Sequence, residues 1–339
     1  MWPWLLIALF LDLPIHAAST QTGPVTDEEA RILWMDAKRE VLDKDFQEAV
    51  PKLRRLIDRY PSHAGFTEAH RLLGESLLAL KRGREALPPL SYYIQAMGQS
   101  RESNQARLSL AEAYLSTGRF QEAELVTLEL ERQESPAAAN PPLSRDLHFT
   151  GQLLKARALQ GLGHPQKAMR LLESTRSGIR ADETPLLALA SRVELELKLA
   201  DCARLPGPLA SRLDEAQMKN AFERRGTCLS ESLLAFESLL RKGTPEDSED
   251  AGATLRIAHQ EFAKACLSPP LPSDRRTAKE KRQYSAELAI LLRKTCRTGL
   301  DRNFGLLESM KGDIPGSTLP IRKRVLEGLE KARKELGST

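Results

Sequence analysis

Alanine recurs at 49, 86, 123 and 168, each time a few residues into an amphipathic run. The first two intervals are 37 residues and the third is 45. A chain whose apolar pattern returns at a nearly fixed period of this length folds as stacked copies of one small unit, because a single copy cannot bury its own apolar face. The unit is clearest over residues 104–132, NQARLSLAEAYLSTGRFQEAELVTLELER. Leu108, Leu110, Ala111, Tyr114 and Leu115 recur at helical spacing, and Thr117-Gly118-Arg119 then breaks the run. Phe120, Ala123, Val126 and Leu130 restart it on a second helix. Ala111 is small enough for two helices to approach, Tyr114 fills the space beside them, and Gly118 supplies a permissive backbone at the turn.

Three weaker copies surround this one. The first runs through Leu33, Trp34, Ala37 and Leu42, turns at Asp43-Lys44-Asp45 and resumes with Phe46, Ala49, Leu53 and Leu56. The second, over 72–90, carries Gly74, Leu77 and Ala86, and its Pro88 and Pro89 fall past the first turn, where local irregularity is expected. The fourth, over 153–174, has Ala156, Leu159, Gly163 and Ala168 in the matching places. The extra length before it falls in 133–146, where Pro136, Pro141 and Pro142 predict a loop. Residues 28–178 together resemble the tetratricopeptide repeat (TPR), closely in the third copy and loosely in the first.

The resemblance implies a right-handed superhelix whose first helices line a concave groove for a protein or peptide partner. Carried over residue by residue, the groove places fall on Glu68, Arg71, Glu75 and Leu78 in the second copy. In the third they fall on Gln105, Leu108, Glu112 and Leu115, and in the fourth on Thr150, Leu153 and Arg157. TPR proteins that clamp a C-terminal carboxylate place Lys, Arg and Asn there; this set mixes acids, bases and leucines.

The rest of the chain is helical too. Aromatic residues make up only 5% of it, no stretch alternates apolar and polar residues in the manner of a strand, and the fold class is all-α: a TPR-like α-solenoid followed by a C-terminal helical bundle. A helix over 185–202, with Thr184 as its cap, closes a repeat domain spanning 27–203 before Leu205-Pro206-Gly207-Pro208. Residues 209–339 form the second domain and resemble no family. Breakers divide them into helices at 209–225, 227–242, 245–267, 276–311 and 319–337, with Thr227 and Thr244 as caps. The last carries Ile321, Val325, Leu329, Ala332 and Leu336 on one stripe opposite Lys323, Lys331 and Lys334; it closes the end of the bundle or, as the other reading, lies on an anionic membrane surface.

Residues 1–18 read as a signal peptide: Trp2 to Leu11 is almost wholly apolar, too short to span a bilayer, and a cleavage point follows near Ala18 or Ser19. No cysteine follows closely enough to carry a lipid. The expectation is an exported, periplasmic protein. Cys202, Cys228, Cys266 and Cys296 then suggest two disulfides. Of the three connectivities, the sequential one, Cys202–Cys228 and Cys266–Cys296, closes the shortest loops; four reduced thiols would instead fit a cytosolic chain.

Fifty basic and 46 acidic residues give a formal charge of +4 on a mixed surface, which is not a nucleic-acid footprint. The histidines show no metal-ligand spacing, and no nucleophile elbow, phosphate loop or CxxC occurs, so no catalytic residue, metal or cofactor is expected. The function read from the sequence is a non-enzymatic scaffold for protein assembly in the cell envelope. Its partner is a protein or peptide, with membrane contact no more than peripheral. The other reading is an envelope enzyme or enzyme subunit with its active site in 209–339, which a buried, convergent polar cluster there would favour.

Overall fold

The computed structural model describes residues 27–133, 144–206, 213–270, 277–310, 312 and 314–337. The signal-peptide expectation, and most of the loop expected at 133–146, lie outside the described residues. The secondary structure of the described residues is entirely helical. Four hairpins come first: α1 (Asp27–Leu42) with α2 (Phe46–Arg59), α3 (Phe66–Ala79) with α4 (Gly83–Met97), α5 (Arg101–Ser116) with α6 (Phe120–Gln133), and α7 (Arg145–Gly161) with α8 (Pro165–Gly178). Each packs on the next, and the first helices α3, α5 and α7 lie side by side.

Small residues set the spacing. Ala37, Ala111 and Ala156 on the first helices are fully buried, as are Ala49, Ala86, Ala123 and Ala168 on the second. At Gly74, which takes the small-residue place in the second hairpin, an added Cβ would lie 2.4 Å from Leu90 Cγ. The turns repeat as faithfully. Lys44, Lys81, Gly118 and Gly163 each stand five residues before the second-helix alanine, and their φ angles are +62°, +60°, +75° and +82°. Every hairpin therefore turns through one left-handed residue, and two of the four are lysines that bear the steric cost of a Cβ there.

The irregularity expected at Pro88 and Pro89 does not interrupt α4, and α2 likewise continues through Pro51. The carbonyls that lose an amide partner belong to Gln47, Arg84 and Glu85, all exposed, so water can satisfy them.

The C-terminal helices are α9 (Thr184–Ala203), α10 (Glu215–Lys242), α11 (Pro245–Leu267), α12 (Ala278–Ser309) and α13 (Leu319–Gly337). Thr184 is the first residue of α9 and Glu183 holds the cap position. Thr244 does cap α11, accepting from the Asp247 amide at 3.1 Å. The break expected at Gly226-Thr227 is absent, because α10 runs straight through it. The glycine serves a crossing instead of a stop: an added Cβ on Gly226 would sit 3.5 Å from Gly299 Cα of α12. Thr227 Oγ1 is spent on the Glu223 carbonyl one turn back in the same helix.

Helix α9 belongs to two cores. Leu186, Ala190, Val193 and Leu197 pack with Leu153 and Leu172 of the fourth hairpin. Ala188, Leu195, Leu199 and Cys202 join Phe222, Phe236 and Phe262 in the core of the C-terminal helices. The apolar stripe of α13, from Ile321 to Leu336, is buried in that same core, so it offers no membrane-facing surface. Both cysteine pairs are joined, Cys202 to Cys228 with Cα atoms 5.5 Å apart and Cys266 to Cys296 at 6.4 Å. The first ties α9 to α10 and the second ties α11 to α12.

Replacing Lys44 by glycine should raise unfolding stability by about 0.5–1 kcal/mol, because it removes a Cβ from a left-handed turn and Lys44 makes no ion pair among the described residues. Denaturant unfolding measures it; an unchanged or lower midpoint would mean that the turn carries no strain.

Candidate partner-binding cleft

The face formed by α3, α5 and α7 does not open freely to solvent. Across it lie α9 and the first half of α11, and the space between them is a cleft of about 800 Å³. Four of the groove residues expected from the repeats line it: Glu75, Leu78, Glu112 and Arg157. Gln105, Leu108 and Thr150 line a second, shallower cleft of about 390 Å³ between the N-terminal ends of α5 and α7. Glu68 and Arg71 flank the first cleft without lining it. Leu115 and Leu153 are buried in the apolar clusters between hairpins, which corrects their assignment to a partner surface. Leu108 is only 4% exposed, so in its cleft it is floor rather than contact. At these three positions the first helices have neighbours on both sides, and a leucine there packs inward.

Ion pairs within and between elements surround the cleft. Arg71 bonds Glu68 and Glu75 on its own helix. Burial works against the Arg71 charge, but those two carboxylates more than offset it and hold the guanidinium above its ordinary value. Arg157 of α7 reaches Glu196 of α9 at 2.7 Å. Arg192 of α9 is shared between Glu196 at 3.3 Å and Asp247 of α11 at 3.2 Å. It too is partly buried, and the surrounding carboxylates of Glu196, Glu112 and Asp247 raise it against that burial. At the rim, Lys81 in the turn of the second hairpin meets Asp250 of α11 at 2.6 Å. Both partners are well exposed, so this pair contributes roughly 0–1 kcal/mol.

The α9 and α11 contributions were missed by sequence reasoning. One signal was available: α11 opens with Glu246, Asp247, Glu249 and Asp250, more acids than a helix N-terminus needs. The sequence places those acids at the start of a helix; the structure adds what they face.

Away from the cleft, the C-terminal core holds a buried polar cluster. His259 is fully buried; its Nδ1 donates to the Leu255 carbonyl at 2.8 Å, which leaves Nε2 to accept from Asn303 Nδ2 at 3.1 Å. The Asn303 oxygen in turn accepts from the Ser230 hydroxyl. The cluster spans α10, α11 and α12 but lines neither cleft, and Asn303 stands between the serine and the histidine, so no base addresses the hydroxyl. It is a fully bonded internal network that fixes three helices to one another. Among the described residues, no group of three or more His, Cys, Asp and Glu is placed to hold a metal ion, and no helix is long and apolar enough to cross a membrane.

The tetratricopeptide repeat model matches residues 43–98 and 90–139, which cover the second-helix half of the first hairpin and the whole second and third hairpins. The chain thus carries tetratricopeptide repeats over that stretch. Among solved structures it is similar to a tetratricopeptide repeat protein from Parabacteroides merdae ATCC 43184, at 11% identity and a TM-score of 0.40, covering 89% of this chain and 99% of that one. It is also similar to the TPR domain of P58(IPK), at 16% identity and a TM-score of 0.26, covering 91% and 99%. No curated protein sequence matches the chain.

Burial pushes the His259 imidazole down to about 4. Its unfolded value is near 6.5, so the unfolded chain takes up the proton first as pH falls. Stability is thus complete above about pH 6.5 and is lost between there and about pH 4, by roughly 3 kcal/mol. In the His259→Gln variant that slope should disappear from pH-dependent denaturation curves; the same slope in both proteins would assign it to other groups.

Proposed function

We propose that the protein is an exported, non-enzymatic scaffold that holds a protein partner in the cleft between the repeat face and helices α9 and α11. One observation carries this reading. Glu75, Leu78, Glu112 and Arg157, which three successive repeats place at the positions TPR proteins use for partners, converge on a single cleft of about 800 Å³. The buried Ser230–Asn303–His259 cluster is the kind of polar cluster the enzyme reading called for, but its hydroxyl is bonded to Asn303 and to the Gly226 carbonyl and faces no base, so it does not carry that reading.

Export rests on the apolar start of the chain and on the cysteines, all four of which stand in joined pairs, as an oxidising compartment favours. Terminal sequencing of the native protein should find an N-terminus near Ala18 or Ser19, and thiol labelling should find no reactive cysteine. A retained Met1 together with four free thiols would return the protein to a reducing compartment.

The partner site is tested by photo-crosslinking in the native compartment. A crosslinking residue at Thr254, on the cleft wall, should capture a discrete protein species; one at Leu125, 64% exposed on the second helix of the third hairpin, should not. Equal capture from both positions would remove the cleft as the binding site.

A further inference from the structure

The floor and walls of the cleft are apolar where Leu78, Leu195, Leu199, Ala251 and Ile257 meet. Leu195, Leu199 and Ala251 are buried, but Ile257 is 55% exposed, a large aliphatic side chain standing on the wall of a concave site. Around this strip the charge is one-sided. Six carboxylates line the cleft, those of Glu75, Glu112, Glu196, Glu246, Asp247 and Asp250, against the three cations Lys81, Arg157 and Arg192. The whole chain is formally +4, so the cleft runs against the background of its own molecule. All three cations are already engaged, Lys81 by Asp250, Arg157 by Glu196, and Arg192 by Glu196 and Asp247. Glu112 and Glu246 are exposed and neither forms a close ion pair among the described residues, although Glu112 acts on Arg192 from a distance. One comes from the repeats and the other from the start of α11.

We propose that the occupant of this cleft is an extended segment of a partner protein in which lysine or arginine alternates with apolar residues. Its apolar side chains lie on the strip beside Ile257, and its cations meet Glu112 and Glu246. The strip supplies contact area, while the unpaired carboxylates set the sign of the partner and reject acidic segments by repulsion. The site is composite: the repeats alone offer Glu75, Leu78 and Glu112, and α11 supplies Ile257 and the second carboxylate. This inference rests on the scaffold reading above and adds the chemistry of the partner to it.

The test uses the full chain and three fluorescein-labelled peptides of equal length and the same apolar residues, differing only in whether lysine, glutamate or serine stands between them. Fluorescence anisotropy should show the lysine peptide binding about tenfold more tightly than the other two. It should weaken at roughly 0.3 M salt, where the screening length falls below about 8 Å. Glu112→Gln with Glu246→Gln should lower its affinity roughly fivefold, whereas Glu102→Gln with Asp146→Gln, in the second cleft, should leave it unchanged. Ile257→Ser, at a position 55% exposed, should weaken all three peptides. Equal binding of the three, with no response to the Glu112 and Glu246 pair, overturns the basic partner and leaves the scaffold reading standing. Binding of none of them, with crosslinking at Leu125 rather than Thr254, overturns both.

Discussion

Helix α9 has to bury apolar side chains on opposite faces, and the placement of everything around the cleft depends on that double burial. Leu186, Val193 and Leu197 face the fourth hairpin, while Leu195 and Leu199 face the C-terminal helices. A fully buried aliphatic side chain contributes about 1.5–3 kcal/mol, so even this handful outweighs the rim pair of Lys81 and Asp250 many times over. The repeats and the C-terminal helices are therefore docked by shared apolar packing. The ion pairs across the cleft follow from that docking and refine it.

Electrostatics has a second role once the docking is set. Arg192 sits where a carboxylate from α9, one from α11 and one from α5 all act on it, so the three walls of the cleft converge on a single guanidinium. Such an arrangement fixes the walls relative to one another without using up every acid. What remains unpaired faces the open space.

The repeating part of this fold was legible in the sequence because stacking imposes a period, and a period survives substitution at any one place. Ala49, Ala86, Ala123 and Ala168 mark it even where Leu77 replaces Tyr114's counterpart and lysine replaces glycine in two turns. The cysteine pairs were legible through their even number and through the short loops that sequential pairing closes. The Gly226 break was misread because a glycine that stops a helix and a glycine that lets two helices touch look alike in one dimension. Of the cleft, the wall made by the repeats was visible, whereas the wall made by α11 was not. Residues some 170 positions apart, such as Lys81 and Asp250, are brought together by tertiary docking, and no local pattern encodes that.

The double burial of α9 has a consequence for how the chain can be handled. A fragment ending after the last hairpin would lose Leu186, Val193 and Leu197 together with α9, and Leu153 and Leu172 of the fourth hairpin would lose their cover. A fragment ending after α9 would instead expose Ala188, Leu195 and Leu199 along one unbroken ridge. Either truncation creates a sticky surface, of the kind that drives association with other chains. The array and the helices that follow it thus share one helix as their boundary, and a cut on either side of it uncovers apolar surface.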